Sequence, residues 1–264
     1  MSDALLALRT HGPDPMLESR ALGEWALSAA GMTPPGGLVA VAVSGETRRV
    51  PWARRADWII APSGEQLMLA QLSSASIEPG ENLAGEERDD VRLGGAESGR
   101  PVELAPDALW LRGALVRAVL MAASLERISE LSLAHARERR QFGRPIGSFQ
   151  AVQAHLVTIA QQAALVAVAV EAAITREQAF EIAAAKLLAG RAAVTAGRAA
   201  HQVHGAVGVT RAHPLGIETR RLWAWRCEYG DERHWALRLG SAAIGAGADR
   251  LYPGITAGSR VLEV

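Results

Sequence analysis

Apolar residues recur at helical spacing through most of the second half of the chain, in long runs separated by short breaks. The runs are rich in alanine, and small side chains let neighbouring helices approach closely. The pattern predicts an antiparallel helical bundle, with Asp107 near the N-cap of its first helix and with Gly190 and Gly197 loosening its third. The predicted helices span residues 107–138, 149–175, 176–204, 215–230 and 233–248.

Shorter apolar runs that contain β-branched residues precede the bundle. A cluster of Thr, Pro and Gly at 33–37 separates them from a short amphipathic helix predicted at 17–30. The predicted strands span 38–43, 57–61 and 66–71, and residues 76–106 are predicted to form a surface loop with one edge strand around Val91.

These patterns predict a mainly α protein in which a reduced β domain precedes a helical bundle. The boundaries follow the breaker cluster and the change of character at Pro106. The predicted domains are a residual N-terminal helical segment at 1–36, the reduced β domain at 37–105 and the C-terminal helical bundle domain at 106–264.

The charge balance argues against nucleic acid as a partner. The chain has 28 basic and 28 acidic residues and a formal net charge of zero, whereas a nucleic-acid binder needs a basic face to displace counterions. Cys227 is the only cysteine, so no disulfide can form within the chain, and a reducing cytoplasm is the expected compartment. The first residues show no basic stretch followed by an apolar core, so no signal peptide is predicted.

One uncharged run, residues 145–170, is long enough to cross a membrane. It contains Pro145 and several glutamines, including Gln153 and Gln161, which hydrocarbon disfavours. We therefore predict no membrane span and expect this run to be a buried helix of the bundle.

A dense basic stretch, residues 137–150, interrupts the helical pattern near the middle of the chain. Arginines, two Gly and one Pro in this stretch predict a helix end, a turn and a new helix start. A guanidinium group matches phosphate oxygens two at a time, so such a corner suits a phosphate-bearing ligand. The alternative is an ordinary solvated helix end.

A second opening is predicted at residues 202–210, where a helix ends at Gly205 and small residues leave room for close approach to the backbone. A plain helix stop is the alternative. His201 and His204 have the spacing of two metal ligands, with His213 as a third candidate, but no acidic residue accompanies them and no metal site is predicted. No phosphate-binding glycine motif or nucleophile elbow is present.

The two stretches together resemble the hallmarks of the acyl-CoA dehydrogenase family. Residues 136–150 fit the form A-x-x-R-x-Q-F-G-x-P-[IL]-x-x-[FH]-Q, which opens the C-terminal helical domain of that family. Residues 202–210 match Q-[IV]-H-G-G-x-G-[FY]-T, with Ala206 replacing one glycine and Val209 replacing the aromatic. Residues 50–59 look like the V-P-x-A-x-x-A-D segment of the family's middle β domain.

The resemblance implies an acyl-CoA dehydrogenase-like fold and a role in lipid metabolism. The family is FAD-dependent and removes hydrogens from Cα and Cβ of an acyl-CoA thioester. The resemblance also implies contacts to a flavin that is held largely by a neighbouring subunit. The implied contacts are Arg139 at the FAD pyrophosphate, Gln141 and Phe142 beside the ADP portion, Gln150 in the same adenine-side region, and Gln202 with the backbone of His204, Gly205 and Ala206 facing the ADP part.

The chain departs from the family pattern in its first half. The helical layer that precedes the β region in the family is reduced here to residues 1–36. A flavin-facing run of the T-E-P-x-x-G-S-D type, which contacts the isoalloxazine ring in the family, is missing. The chain is therefore expected to be unable to hold the redox ring by itself.

The family's catalytic base is also missing from both positions where it occurs. An ungapped comparison places Tyr229 at one position and Gly113 at the other. Glu228, one residue before Tyr229, is a weak candidate for the catalytic base, because a base must reach the α-proton of the substrate. The alternative for Glu228 is a surface carboxylate that pairs with Arg221 or Arg226.

The leading hypothesis is therefore a non-catalytic or half-site subunit of an FAD-dependent acyl-CoA dehydrogenase. It would work on an acyl-CoA substrate with a related, complete subunit, in an α2β2-type heteromer. Two alternatives stay open: a complete homo-oligomeric enzyme that uses Glu228, and a flavin-free scaffold or binding protein on the same fold.

Overall fold

The computed structural model describes residues 2–42, 47–94, 99–210 and 213–257. The chain forms two compact units, residues 1–116 and 117–264, which meet within one long helix. The fold is mainly α, with a small β region in the first unit and a helical bundle in the second, as the sequence predicts. The domain boundaries drawn from the sequence remain predictions.

The first unit begins with helices that the sequence patterns only partly predict. The helix expected at 17–30 is confirmed, and Asp14 caps its start by accepting hydrogen bonds from the amides of Met16 and Leu17. A preceding helix was not predicted, although Leu5 and Leu8, one turn apart on it, are fully buried. The helices are α1 (Ser2–His11), α2 (Pro15–Glu18), the π-helical turn Ser19–Glu24 and α3 (Trp25–Ala29).

Two small sheets follow in the first unit. One has the order β1-β3-β4-β7 with β1 and β3 parallel, and the other has the order β2-β6-β5. Small and branched side chains such as Ala40, Ile59 and Val91 form a buried apolar cluster. The strands are β1 (Val39–Val41), β2 (Val50–Pro51), β3 (Trp58–Ser63), β4 (Gln66–Gln71), β5 (Ser76–Glu78), β6 (Arg88–Arg92) and β7 (Arg100–Val102).

The prediction of a loop at 76–106 with one edge strand is wrong. β5, β6 and β7 lie in this region, and β6 is the central strand of its sheet. Its sequence, RDDVR, is too charged to predict a central strand. The carboxylate of Asp89 can be buried there because Nε of Arg54 donates to its Oδ1 over 2.9 Å. The strand predicted at 38–43 is confirmed for β1, and Val43 lies outside the described residues.

The segment that resembles V-P-x-A-x-x-A-D has a structural role at its final residue. Asp57 Oδ2 accepts a hydrogen bond of 2.9 Å from the amide of Leu38, next to β1. Gly37 has a φ of 95°, and a Cβ there would lie 2.1 Å from Asp57 Oδ2. The carboxylate and the glycine together fix where the first strand begins.

Long helices make up the second unit, and all five predicted helices are confirmed with changes at their ends. The first helix starts at Pro106 rather than being capped by Asp107, since proline suits the first helical position. The helix predicted at 215–230 ends early and gives way to a turn. The helices are α4 (Pro106–Glu138), α5 (Gln150–Arg176), α6 (Ala179–His204), α7 (Pro214–Trp225), α8 (Glu232–Ala246) and the unpredicted α9 (Ala248–Ala257).

The expected loosening of the third helix at its glycines is wrong, because α6 is continuous. Gly190 instead makes room for another chain segment. A Cβ at this position would lie 2.3 Å from Oε1 of Glu232, at the start of α8. The absence of a side chain in α6 thus lets an ion-paired carboxylate pack against the helix.

The expectation that residues 145–170 form a buried helix is also wrong. By length and composition, α4 and α5 could each cross a membrane, with mean hydropathies of 1.5 and 1.7 over their most apolar windows. The most apolar segment of α4 is 78% buried inside the protein, whereas that of α5 is only 28% buried. α5 packs along α6 on one face, and the opposite face is left open.

A single buried lysine joins α6 to the turn between α7 and α8. Lys186 is the only lysine in the sequence, and its Nζ donates to the carbonyls of Arg226 and Gly230 over 2.9 and 2.8 Å. Burial lowers the pKa of Lys186 to about 8, against the opposing pull of Glu232 and Glu228. The ammonium group therefore holds the turn in place at some cost in desolvation.

We expect Lys186→Met to flatten the pH dependence of unfolding between pH 8 and 10. Because the folded-state pKa lies below the ordinary value, the unfolded chain binds this proton more tightly. The wild-type free energy of unfolding should therefore rise with pH across this window, by up to about 3 kcal/mol. Urea titrations of both proteins at several pH values measure how the free energy of unfolding changes with pH. The same change in both proteins would contradict a lowered pKa of Lys186.

Candidate functional site

The basic stretch after α4 folds into a tight hairpin. β8 (Arg140–Gln141) pairs with β9 (Arg144–Pro145), and the two residues that join them, Phe142 and Gly143, have φ values of 52° and 78°. Two consecutive positive φ values are typical of the turn that closes two-residue hairpins. The turn projects the Phe142 side chain into solvent, where it is 89% exposed.

Backbone contacts fix the base of this hairpin. The amide of Ile146 donates to the carbonyl of Arg139 over 2.8 Å. Gly147 passes so close to α4 that a Cβ there would lie 3.1 Å from the carbonyl oxygen of Ala136. The predicted helix end, turn and new helix start are therefore confirmed, and the corner is held by the chain itself.

Four guanidinium groups surround the hairpin without acidic partners. Arg137, Arg139, Arg140 and Arg144 are all exposed, and within the described ranges none of them forms an ion pair. The guanidinium of Arg144 instead lies over the ring of Phe149, 4.2 Å from its centroid. Uncompensated positive charge beside an exposed aromatic ring is a suitable surface for an anionic ligand with a flat group.

The second opening forms at the end of α6, as predicted. Gly205 caps the helix with a φ of 62°, and its amide donates to the carbonyl of His201. Nothing lies within 4 Å of the position that a Cβ of Gly205 would occupy. Gln202 and Ala206 are also exposed, so both the backbone and an amide side chain are accessible to a ligand.

Stacked imidazole rings bring the two stretches together. His135, next to the first stretch, stacks on His204 of the second with ring centroids 4.5 Å apart and an angle of 22°. His213 meets His204 edge-on at 5.1 Å. Nδ1 of His204 lies 2.9 Å from the carbonyl of Ala200 and donates to it. We call His135, His204 and His213 the imidazole stack.

Burial favours the neutral form of two rings of the imidazole stack, those of His135 and His204. Burial lowers the pKa of His135 and of His204, and the neighbouring His213 lowers both further. Arg139 also lowers the pKa of His135. In the part of the chain that the structure describes, no group of three His, Cys, Asp or Glu side chains is arranged to hold a metal ion.

Glu228, the weak candidate for a catalytic base, is held by a buried arginine. Its Oε2 lies 2.5 Å from Nε of Arg117, whose side chain is 1% exposed. The expected pairing of Glu228 with Arg226 is wrong, because Arg226 pairs with Glu232, and the expected pairing with Arg221 stays a prediction. Arg221 pairs with Glu218, and Arg226 pairs with Glu232 through two contacts of 2.8 Å.

The two family positions for the base are both buried. Tyr229 is 1% exposed and has a φ of 56°, in the turn before α8. Its carbonyl accepts a hydrogen bond of 3.0 Å from Nε1 of Trp235. Gly113 lies on a buried face of α4. Neither residue carries a carboxylate, and the turn around Tyr229 serves the packing of α8.

The sequence did not point to the side chains that position other residues around the site without lying on its surface. His135 directly precedes the first stretch, Arg117 lies in an apolar helix, and Lys186 is the only lysine in an arginine-rich chain. A buried charge in an apolar run indicates a paired group, but only the fold shows that Arg117 reaches Glu228.

Comparisons with known proteins agree with this architecture. The family model for the acyl-CoA dehydrogenase C-terminal domain matches residues 111–227, which include both stretches. Residues 111–227 belong to the acyl-CoA dehydrogenase family. Two relatives are each called acyl-CoA dehydrogenase IpdE2. The one from Mycolicibacterium smegmatis is 28% identical over 90% of this chain and 78% of its own length. The one from Mycobacterium tuberculosis is 30% identical over 70% of this chain and 50% of its own length.

A solved structure shows the same acyl-CoA dehydrogenase fold. The ChsE4-ChsE5 complex from Mycobacterium tuberculosis contains a chain that matches with a TM-score of 0.83 and 22% identity. The match covers 93% of this chain and 80% of that chain. The fold of this family member is therefore shared along nearly the whole described length.

We expect acid to loosen the imidazole stack in this acyl-CoA dehydrogenase family member. Because the folded-state pKa values of His135 and His204 are lowered, the stability from the neutral rings is present above about pH 6.5 and is lost as the pH falls through that value. His135→Phe keeps a ring in the stack but removes one titrating group. Its free energy of unfolding should fall less steeply from pH 7.5 to 5.5.

Chemical denaturation at several pH values measures how the free energy of unfolding changes with pH in the wild type and in His135→Phe. His155→Phe is the matched control, because His155 lies on α5 and not in the imidazole stack. Equal pH dependence in wild type and in His135→Phe would show that the stack does not respond to acid.

Proposed function

We propose that this chain is a subunit of an FAD-dependent acyl-CoA dehydrogenase and that it contributes contacts to the ADP side of FAD. A related, complete subunit supplies the catalytic base and the contacts to the isoalloxazine ring. The substrate is an acyl-CoA thioester, and the assembly is of the α2β2 type. The observation that carries the proposal is the corner of exposed arginines, unpaired among the described residues, joined to the Gly205 opening.

The surface properties of the corner fit the ADP half of FAD. A pyrophosphate is an anion with several oxygens, and Arg139 presents an exposed guanidinium that no carboxylate of the described residues neutralises. Phe142 offers an exposed ring against which a flat base can lie. Gly205 leaves its backbone open to close approach. Gln141, Gln150 and Gln202 add exposed amides that can donate or accept hydrogen bonds.

FAD, when bound, supplies the acceptor for the electrons removed from the acyl chain. The residues of this chain have a more limited task, which is to bind and orient the ADP half. The imidazole stack fixes the distance between the Arg139 corner and the Gly205 opening, so both can contact one ligand.

The ion pair of Glu228, the candidate base, supports the proposal that another subunit supplies the catalytic base. A general base must be free to accept a proton from the substrate. Glu228 is instead engaged by the guanidinium of Arg117 at 2.5 Å, and uptake of a substrate proton would disrupt that ion pair. The hypothesis that Glu228 is the base remains a prediction, and we propose a structural role for this residue.

The known neighbours support a partner of the same family. The ChsE4-ChsE5 structure is a complex of two named components, and one chain in it has the fold of this protein. By analogy, we propose that this chain assembles with a second acyl-CoA dehydrogenase subunit.

Replacing Arg139 should remove flavin from the assembled complex. We expect Arg139→Gln to raise the dissociation constant for FAD by about 10- to 100-fold, because a charge-assisted bidentate contact contributes about 1.5–3 kcal/mol. The complex is obtained by co-expression with a related complete subunit, and flavin absorbance is compared with protein content after gel filtration. Arg191→Gln, at an exposed position of α6 about 20 Å along the helix from Gly205, is the matched control and should retain flavin.

Flavin retention by the Arg139→Gln complex would favour the scaffold alternative. A colourless wild-type chain that assembles with no acyl-CoA dehydrogenase subunit would do the same. A wild-type chain that is yellow and active by itself would favour the homo-oligomeric enzyme.

Replacing Glu228 separates a catalytic role from a structural one. We expect Glu228→Gln to lower the free energy of unfolding by about 1–3 kcal/mol, since Arg117 loses the charge of its partner. Turnover of the assembled complex should stay within about threefold, whereas loss of a general base lowers turnover by about 10²–10⁴. Arg117→Gln should lower stability similarly. A drop in turnover of two orders of magnitude without loss of stability would identify Glu228 as the base.

A further inference from the structure

A cavity of about 420 Å³ opens in the first unit, between α1 and the continuous helix formed by α2, the π-helical turn and α3. Ala4, Ala7 and Leu17 line its apolar part, and Trp25 adds an aromatic residue. A concave, largely apolar space of this size with a few polar groups at its edge is typical of a small-molecule site. No residue of the FAD corner lines it.

One side of the cavity is built on a rare backbone conformation. Ser19–Glu24 forms a π-helix, and such turns are uncommon and occur frequently at functional sites. Two tertiary hydrogen bonds hold the turn. Nε of Arg112 donates to the carbonyl of Ala21 over 2.9 Å, and the amide of Val39 donates to Oγ of Ser19 over 2.9 Å. The rest of the first unit therefore maintains this turn.

Both helices that form the cavity are anchored by other contacts. Leu5 and Leu8 of α1 do not line the cavity and are fully buried. The start of α2 is capped by Asp14, whose Oδ1 accepts from the amide of Met16 over 2.9 Å. The cavity is thus preformed, so a ligand loses little affinity to the ordering of its walls.

Three charged side chains at the cavity have no charged partner among the described residues. Asp3 on α1 and Glu24 on the π-helical turn line the cavity together with Arg20. Arg20 and Glu24 have the spacing that pairs opposite charges on an α-helix, yet neither they nor Asp3 form an ion pair within the described ranges. Ser28 also lines the cavity and donates its proton to the carbonyl of Glu24 over 2.8 Å, so its oxygen can accept a hydrogen bond.

The polar groups of this lining favour a cation over an anion. Two carboxylates and a hydroxyl oxygen are acceptors, and an ammonium group offers three donors. Glu24 is half-buried, whereas Arg20 is exposed and can extend its long side chain into water. The indole of Trp25 suits a flat hydrocarbon group and also attracts a cation through its ring.

We propose that this cavity binds a small organic cation, with an ammonium group held by Asp3 and Glu24 and an apolar body packed against Trp25. The guanidinium of Arg112 lies 5.0 Å from the centroid of the indole ring and helps to fix its orientation. The site lies wholly within the first unit, and it does not depend on the proposed contacts to FAD.

Three probes of similar shape and different charge test the class of ligand. Phenethylamine, phenethyl alcohol and phenylpropionate are each titrated into the purified full chain by isothermal titration calorimetry, at roughly 0.15 M salt, which screens distant surface charges. We expect phenethylamine to bind with a dissociation constant of about 1 mM or below, as is ordinary for a ligand of this size. It should bind about tenfold or more tightly than either of the other probes, because only an ammonium makes charge-assisted hydrogen bonds to both carboxylates.

Variants of the lining locate the site. Asp3→Asn combined with Glu24→Gln should weaken phenethylamine binding by about tenfold or more, because the ammonium loses both carboxylates. Ala7→Leu should abolish binding by filling the cavity, while it keeps every charge. The matched control is Glu65→Gln combined with Glu78→Gln, which removes two exposed carboxylates of the same unit outside the cavity and should bind as the wild type does.

Circular dichroism first confirms that each variant is folded, and any of three results then overturns the proposal. Phenylpropionate or phenethyl alcohol binding as tightly as phenethylamine would show that the carboxylates do not select a cation. Wild-type affinity in Asp3→Asn with Glu24→Gln would place the amine elsewhere on the protein. No binding of phenethylamine at roughly ten times the expected dissociation constant, where a single site would be largely filled, would show that the cavity takes no such ligand.

Discussion

The contact of His204 with His135 is the interaction on which the rest of the site depends. It joins two helix ends that are far apart in sequence, and each end carries one half of the surface for which we propose a ligand. Burial and the neighbouring imidazoles lower the pKa of both rings, which favours their neutral forms. The Arg139 corner and the Gly205 opening are therefore linked by two imidazole side chains, neither of which is proposed to touch the ligand.

A different principle governs the turn between α7 and α8. Buried charges are common there, and each is satisfied by a specific partner: Arg117 by Glu228, Arg226 by Glu232, and Lys186 by two carbonyl oxygens. Such a network is costly to break and leaves little freedom for proton transfer. The turn that holds Glu228 and Tyr229 thus takes part in the packing of the bundle, while the basic corner keeps exposed cations that no described carboxylate pairs with.

The same separation of roles extends to the surfaces. The Arg139 corner is polar and suited to an anion, whereas the exposed face of α5 carries apolar side chains such as Val157 and Val168. A protein whose binding groups and apolar faces are both left open is organised for assembly, and this agrees with a subunit whose chemistry is completed by its neighbours.

The sequence by itself determined the long helices, the turn at 137–150, the stop at Gly205 and the family, because these depend on local periodicity, on breaker residues and on motifs that are contiguous in the chain. It could not show β6, whose charged residues are buried only because Arg54 reaches Asp89, nor that α5 is open on one face. Only the tertiary structure brought His135 to His204 and Arg117 to Glu228, since partners separated by tens of residues are chosen by packing and not by local pattern.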